Sequence, residues 1–228
     1  MATRQIVRVL DALEALYGKQ LPFAPTDPFE FLVWWHCGYP ASEDRCSKGW
    51  KSLTGHIGAT PQQLVSVPTA RLAQALKAGG MVPELRATRL QEIAQRTLGE
   101  FAGDLNLALA ELPTAQARKL LKTFPGIGNP GADRILLFAR LFPAAAVPSS
   151  CPHVLVRVES GPEDDNYAAA YAQAQRMLET LPATFEARIR AYLLINRHAQ
   201  HLCKRSKPVC VRCPLAPQCA FGKARVAP

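Results

Sequence analysis

Four cysteines crowd the C-terminal end of the chain as Cys203-x6-Cys210-x2-Cys213-x5-Cys219. Thiols held on so short a segment have to converge on something that compensates their thiolate charge. Zinc accepts four thiolates in a closed structural site, and so does a [4Fe–4S] cluster. Spacing alone does not choose between them. Four unrelated cysteines is the poorer reading at this density. The total of seven, odd and unevenly spread, also argues against a disulfide framework. Cys37, Cys46 and Cys151 stand alone in apolar or turn-like contexts. A quartet without an open coordination position is structural or electron-carrying, not hydrolytic.

A second stretch, Leu121 to Arg134, reads as a helix, a tight turn at Pro125-Gly126-Ile127-Gly128, and a new helix at once. Two glycines around one apolar residue let the backbone approach a ligand closely, with Ile127 plugging the angle between the helices. Free N–H groups at Gly126, Gly128 and the new helix start form a place for a phosphate. An ordinary glycine-capped connection fits these letters equally well.

The 228 residues can bury a sizeable core in one domain or two modest ones, and the 48% apolar fraction is that of a globular chain. A formal net charge of +9 favours a polyanionic partner. Acids vanish after Glu186, while Arg188, Arg190, Arg197, Lys204, Arg205, Lys207, Arg212, Lys223 and Arg225 remain, so the end of the chain is expected to form a concentrated basic surface. Nothing in the N-terminus resembles a secretory signal, and no apolar run can span a bilayer. The expectation is an intracellular, cytoplasmic protein without a membrane partner.

Helical periodicity dominates. Ile6, Leu10, Leu13 and Tyr17 mark an amphipathic first helix stopped by Gly18. Asp27-Pro28-Phe29-Glu30 combines an N-cap, a first-turn proline and a capping-box glutamate, opening a nearly all-apolar helix to Cys37. Trp34 and Trp35 within it could stack on bases, but a buried central helix is the better reading. Further helices are expected over Ser42–Leu53, from Thr60-Pro61, around Leu72 and Leu76 up to Gly79-Gly80, and over Leu85–Phe101, Leu105–Leu112, Ala115–Phe124, Asn129 or Pro130 to Leu141, Tyr167–Leu178 and Phe185–Leu202. Only Val154–Val158 has a β-like run. The fold class is all-α.

The cysteine tail resembles the iron–sulfur loop of the endonuclease III and MutY family of DNA glycosylases, which also carry a Leu/Phe-Pro-Gly-Val/Ile-Gly hairpin like Phe124 to Gly128 here. The two motifs stand in the family's order and at about its separation, and the similarity runs from about Pro28 to Phe221. It implies a six-helix lobe over 26–142 carrying the hairpin, and a cluster lobe combining 1–25 with 143–228. It further implies a [4Fe–4S] cluster on Cys203, Cys210, Cys213 and Cys219, and a monomer acting on damaged double-stranded DNA. Contacts to DNA are implied for Lys122, Gly126, Ile127, Gly128 and Asn129 at the hairpin, and for Lys204, Arg205 and Lys207 in the cluster loop.

The family's chemical groups are replaced. Bifunctional members attack with a lysine near the start of the hairpin's second helix, forming a Schiff base; Pro130 fills that slot. The family's aspartate, which stabilises charge on the sugar, falls on Pro148 or, counted from the other side, Pro152. Asp133 and His153 are the weak substitutes, and Cys151 lies in the same altered loop. Glu163-Asp164-Asp165 is a carboxylate cluster better explained as acids before a helix. The residue that fills the gap left by a flipped base falls near Tyr39 or Pro40, and whether Tyr39 or Met81 enters the stack stays open. The function implied is a DNA-binding base-excision-repair protein with altered or very weak N-glycosylase and lyase activity. The other reading is a non-enzymatic DNA-binding or damage-sensing module on the same scaffold.

Overall fold

The structure, a computed structural model, describes residues 2–39, 41–162 and 166–226. Pro40 and the Glu163-Asp164-Asp165 cluster lie outside the described residues. Among those described, regular structure is entirely helical. Contacts divide the chain into two units, Phe23–Gly128 and Met1–Pro22 with Asn129–Pro228.

The Phe23–Gly128 unit runs α2 (Pro28–His36), α3 (Glu43–His56), α4 (Pro61–Ser66), α5 (Thr69–Leu76), α6 (Pro83–Glu100), α7 (Leu105–Ala110) and α8 (Thr114–Leu121). Asp27 caps α2 by accepting from the Glu30 N–H at 2.9 Å. Thr60 and Gln63 form a reciprocal capping box on α4. The apolar α2 is the centre of this unit: Phe31, Leu32, Val33 and Trp34 are all buried, and α2 packs on α3, α6 and α7. Each such side chain contributes about 1.5–3 kcal/mol through area removed from water, so a helix buried all round needs no amphipathic stripe.

The other unit holds α1 (Ala2–Tyr17), α9 (Asn129–Phe138), α10 (His153–Glu159), α11 (Tyr167–Glu179), α12 (Phe185–His201) and the cysteine segment, which ends in α13 (Ala220–Val226). Ile6, Leu10 and Leu13 seat α1 in a core with Leu155, Leu178 and Leu194. Two of the differences between expected and observed helix limits have a clear physical reason. Val154–Val158 is helical, not extended, because α10 is buried on every side and its apolar run carries no strand partner. The ninth helix stops at Phe138 instead of Leu141, where Arg140 takes φ +56°. Leu137 and Phe138, at the end of that helix, pack with Ala144, Ala146, Tyr192 and Leu193. No helix is long and apolar enough to cross a membrane.

Candidate functional site

The four cysteines line one cavity with Val154, Val158, His198 and Phe221. All are free thiols. Short 3₁₀ turns at Cys210–Arg212 and Ala216–Gln218 fold the segment back on itself, so residues far apart along the loop meet. Gly222 packs tightly here, since a Cβ on it would lie 3.0 Å from the Ala216 Cα. Two of the four sulfurs face N–H donors, and a third faces the His198 ring. The Gly222 N–H donates to Cys219 Sγ at 3.3 Å, and Arg157 Nη1 lies 3.6 Å from Cys203 Sγ. His198 Nε2 is 3.4 Å from Cys213 Sγ, while the Tyr17 hydroxyl stands 3.0 Å from Nδ1 of the same ring. If Tyr17 donates to Nδ1, the ring proton is on Nε2 and points at the sulfur. As a thiol, Cys219 can also donate to the Arg157 carbonyl at 3.2 Å.

Donors aimed at sulfur are what thiolate ligands require. Burial pushes the Cys203, Cys213 and Cys219 thiols up, Cys213 to about 11, which favours their protonated form. Among the described residues, no three His, Cys, Asp or Glu side chains stand close enough to hold a single metal ion. Four thiols lining one cavity supply the donor type that zinc or an iron–sulfur group takes.

At the turn that ends the first unit, Ile127 is buried while Gly126, Gly128, Asn129 and Lys122 are exposed. Gly126 takes φ +67°, a conformation that costs other residues about 1 kcal/mol. The turn rests on α2. A Cβ at Gly126 would lie 3.6 Å from the Tyr39 ring and 3.7 Å from His36 Nε2. Tyr39 is itself stacked on Trp35, with centroids 4.6 Å apart and planes 26° apart. Arg96 braces the approach: its guanidinium donates to the Thr123 carbonyl and hydroxyl and lies over the Phe124 ring at 4.4 Å.

Asp133 and His153, the residues expected to be weak substitutes, are buried and engaged. Asp133 is 2% exposed, and its Oδ2 accepts from the Tyr171 hydroxyl at 3.3 Å and Gln175 at 3.4 Å. Burial, then Asp133, pushes the Tyr171 hydroxyl well up, which keeps it a donor. His153, also 2% exposed, donates from Nε2 to the Cys203 carbonyl at 2.8 Å. Cys151 is buried 4.0 Å from Asn196 Oδ1. Pro148 and Pro152 are both buried, and the Cys151 N–H closes a turn onto the Pro148 carbonyl. Pro130 occupies the first turn of α9.

The basic tail is smaller than its composition implies. Arg188 is buried and donates to the carbonyls of Glu179, Leu181 and Pro182, while Arg190 pairs with Asp11 and Glu14. Lys204, Arg205 and Lys207 remain exposed on the loop between the first two cysteines.

Two buried arginines escaped sequence reasoning. Arg86 donates to the carbonyls of Cys37, Leu76, Gly80 and Met81. It thereby fixes a loop whose tip, Met81, is 83% exposed, with Val82 beside it at φ +48°. Arg157 was legible only as a lone cation inside an apolar run.

No protein-family model and no curated protein matches the chain. Solved structures do. A non-covalent endonuclease III–DNA complex is similar at 23% identity, covering 99% of each chain, with a TM-score of 0.76. A trapped endonuclease III–DNA covalent intermediate is similar at 24% identity over 98% of each chain, TM-score 0.75. A thermostable thymine-DNA glycosylase is similar at 17% identity over 97% of this chain and 98% of that one, TM-score 0.75. The fold is that of the helix-hairpin-helix DNA glycosylases.

Proposed function

From a chain that carries the DNA glycosylase fold, we propose a DNA-binding base-excision-repair protein with altered or very weak N-glycosylase and lyase activity. The whole-length likeness to endonuclease III held on DNA is the observation that carries this reading. The protein grips damaged duplex DNA as a monomer at two places. One is the exposed Gly126, Gly128 and Asn129 backbone with Lys122, and the other is Lys204, Arg205 and Lys207. Cys203, Cys210, Cys213 and Cys219 hold a [4Fe–4S] cluster, which clamps the loop and supplies no acid or base. Two sulfurs that face N–H donors, and a third beside the His198 ring, support that ligand set. Of the two residues considered for the DNA stack, Met81 is the better candidate. It projects from a loop held by Arg86, whereas Tyr39 is engaged with Trp35.

Pro130 cannot form a Schiff base, and no carboxylate stands at Pro148 or Pro152. The burial and engagement of Asp133 and His153 favour the second reading, a damage-sensing module without chemistry. Incubation with abasic and oxidised-pyrimidine duplexes, with borohydride trapping, separates the two. Base release without a trapped adduct supports weak glycosylase activity. Retained affinity with no turnover supports the sensor, and a trapped adduct contradicts loss of the nucleophile. Iron and sulfide near four each per chain are expected, and zinc without visible absorption would overturn the cluster.

A further inference from the structure

Helix α10 faces the start of the cysteine loop with two side chains one turn apart, His153 and Arg157, which therefore share a helix face. His153 donates to the Cys203 carbonyl at 2.8 Å. Arg157, 4% exposed, donates from Nη1 to the Lys204 carbonyl at 3.0 Å and from Nη2 to the Arg205 carbonyl at 2.8 Å. The same Nη1 lies 3.6 Å from Cys203 Sγ, and the guanidinium lies over the Phe221 ring at 4.6 Å. Three consecutive carbonyls, from 203 to 205, are thus tied to one helix face. The side chains of Lys204 and Arg205 are left exposed.

We infer that Arg157 is a positioning residue for phosphate binding: its planar fork holds the backbone at Lys204 and Arg205 so that both cations stand toward the DNA backbone. This rests on the proposal that the loop touches DNA. Lysine cannot replace arginine in this role, because one ammonium does not span two carbonyls in a fixed geometry. Arg157 also places its charge beside Cys203, a sulfur that ligation would make anionic. A buried cation costs free energy unless so compensated. Loop geometry and the state of the first cysteine are therefore held by one side chain.

The test compares R157K, the double variant K204A/R205A, and the three changes combined. Each is purified with its cluster and measured for iron per chain and for duplex affinity against salt. K204A/R205A should reduce the slope of log K against log salt by about 1.8, roughly 0.9 for each lost phosphate contact. An unchanged slope there would mean that the loop does not touch phosphate, and the proposed interface fails. With that slope reduced, R157K should keep its iron, lower the slope by a similar amount, and add little in the combined variant. A wild-type slope in iron-replete R157K, or fully additive losses, overturns the role of Arg157. Loss of iron in R157K overturns it too, because the residue would then serve cluster retention instead. R157Q, which keeps a single short donor in place of the fork, covers the case of R157K failing to fold: iron-replete R157Q must also show a reduced slope, and a wild-type slope there counts against the inference.

Discussion

The guanidinium of Arg86, on α6, donates to the carbonyl of Cys37 at the end of α2. The same group bonds Leu76 at 3.1 Å, Gly80 at 2.7 Å and Met81 at 3.0 Å. One cation therefore satisfies four carbonyls, at the ends of α2 and α5 and in the loop that leads into α6. Arg86→Met should cost about 3–5 kcal/mol, since it strands buried acceptors. In a chain of this size that is a fall in Tm of roughly 10 °C. Thermal melts check the fall, and limited proteolysis near Met81 should become faster. An unchanged melt would show that water replaces the guanidinium at no cost.

Gly79 lies against the same carbonyl. A Cβ there would clash with the Cys37 oxygen and the Arg86 guanidinium, whereas one at Gly99 meets nothing within 4 Å. Gly79→Ala is expected to destabilise by about 3 kcal/mol or more, because backbone must move. Gly99→Ala, inside α6, should stabilise by up to about 1 kcal/mol through helix propensity. Denaturant unfolding of the pair gives opposite signs if close packing at Gly79 is the cause.

His36 should make stability depend on pH. Burial holds it down to about 4 from an ordinary 6.5. Its Nδ1–H donates to the Leu32 carbonyl at 2.8 Å, and the residue is 1% exposed. The folded state keeps the ring neutral while the unfolded chain takes up a proton below about 6.5. Stability is thus full above that pH and declines as pH falls, the loss reaching about 3 kcal/mol near pH 4. Unfolding free energies at pH 7.5 and pH 5 should differ less in His36→Asn than in the parent. Equal differences would assign the pH dependence to other groups.

The hairpin turn should bind DNA without reading it. Gly128→Val places a branched side chain on the exposed backbone, and affinity for every duplex, damaged or intact, should fall by a similar factor. A loss confined to one lesion or sequence would mean that the turn touches bases.

Much of this chain was legible by itself. The apolar periodicity of α1 and α12, the caps at Asp27 and Thr60, and the near absence of strand patterns settle an all-α fold, because local propensity and burial point the same way. The turn at Gly126 and the cysteine quartet were legible for a related reason: glycine φ freedom and thiol spacing are local constraints. Long-range contacts had to be seen. Nothing near Arg86 in the sequence announces that Cys37 and Gly80 converge on it. Nothing near Arg157 announces its grip on Lys204 and Arg205, and its Val-Leu-Val-Arg-Val setting even suggested a strand. The same holds for Asp133 and His153, candidates by residue type that tertiary packing buried against Tyr171 and the Cys203 carbonyl. The basic tail lost Arg188 to three carbonyls and Arg190 to two carboxylates. Residue type and spacing determine which elements form and which chemistries are available; only packing decides which charged groups reach solvent, because burial and partners come from residues far away in the chain.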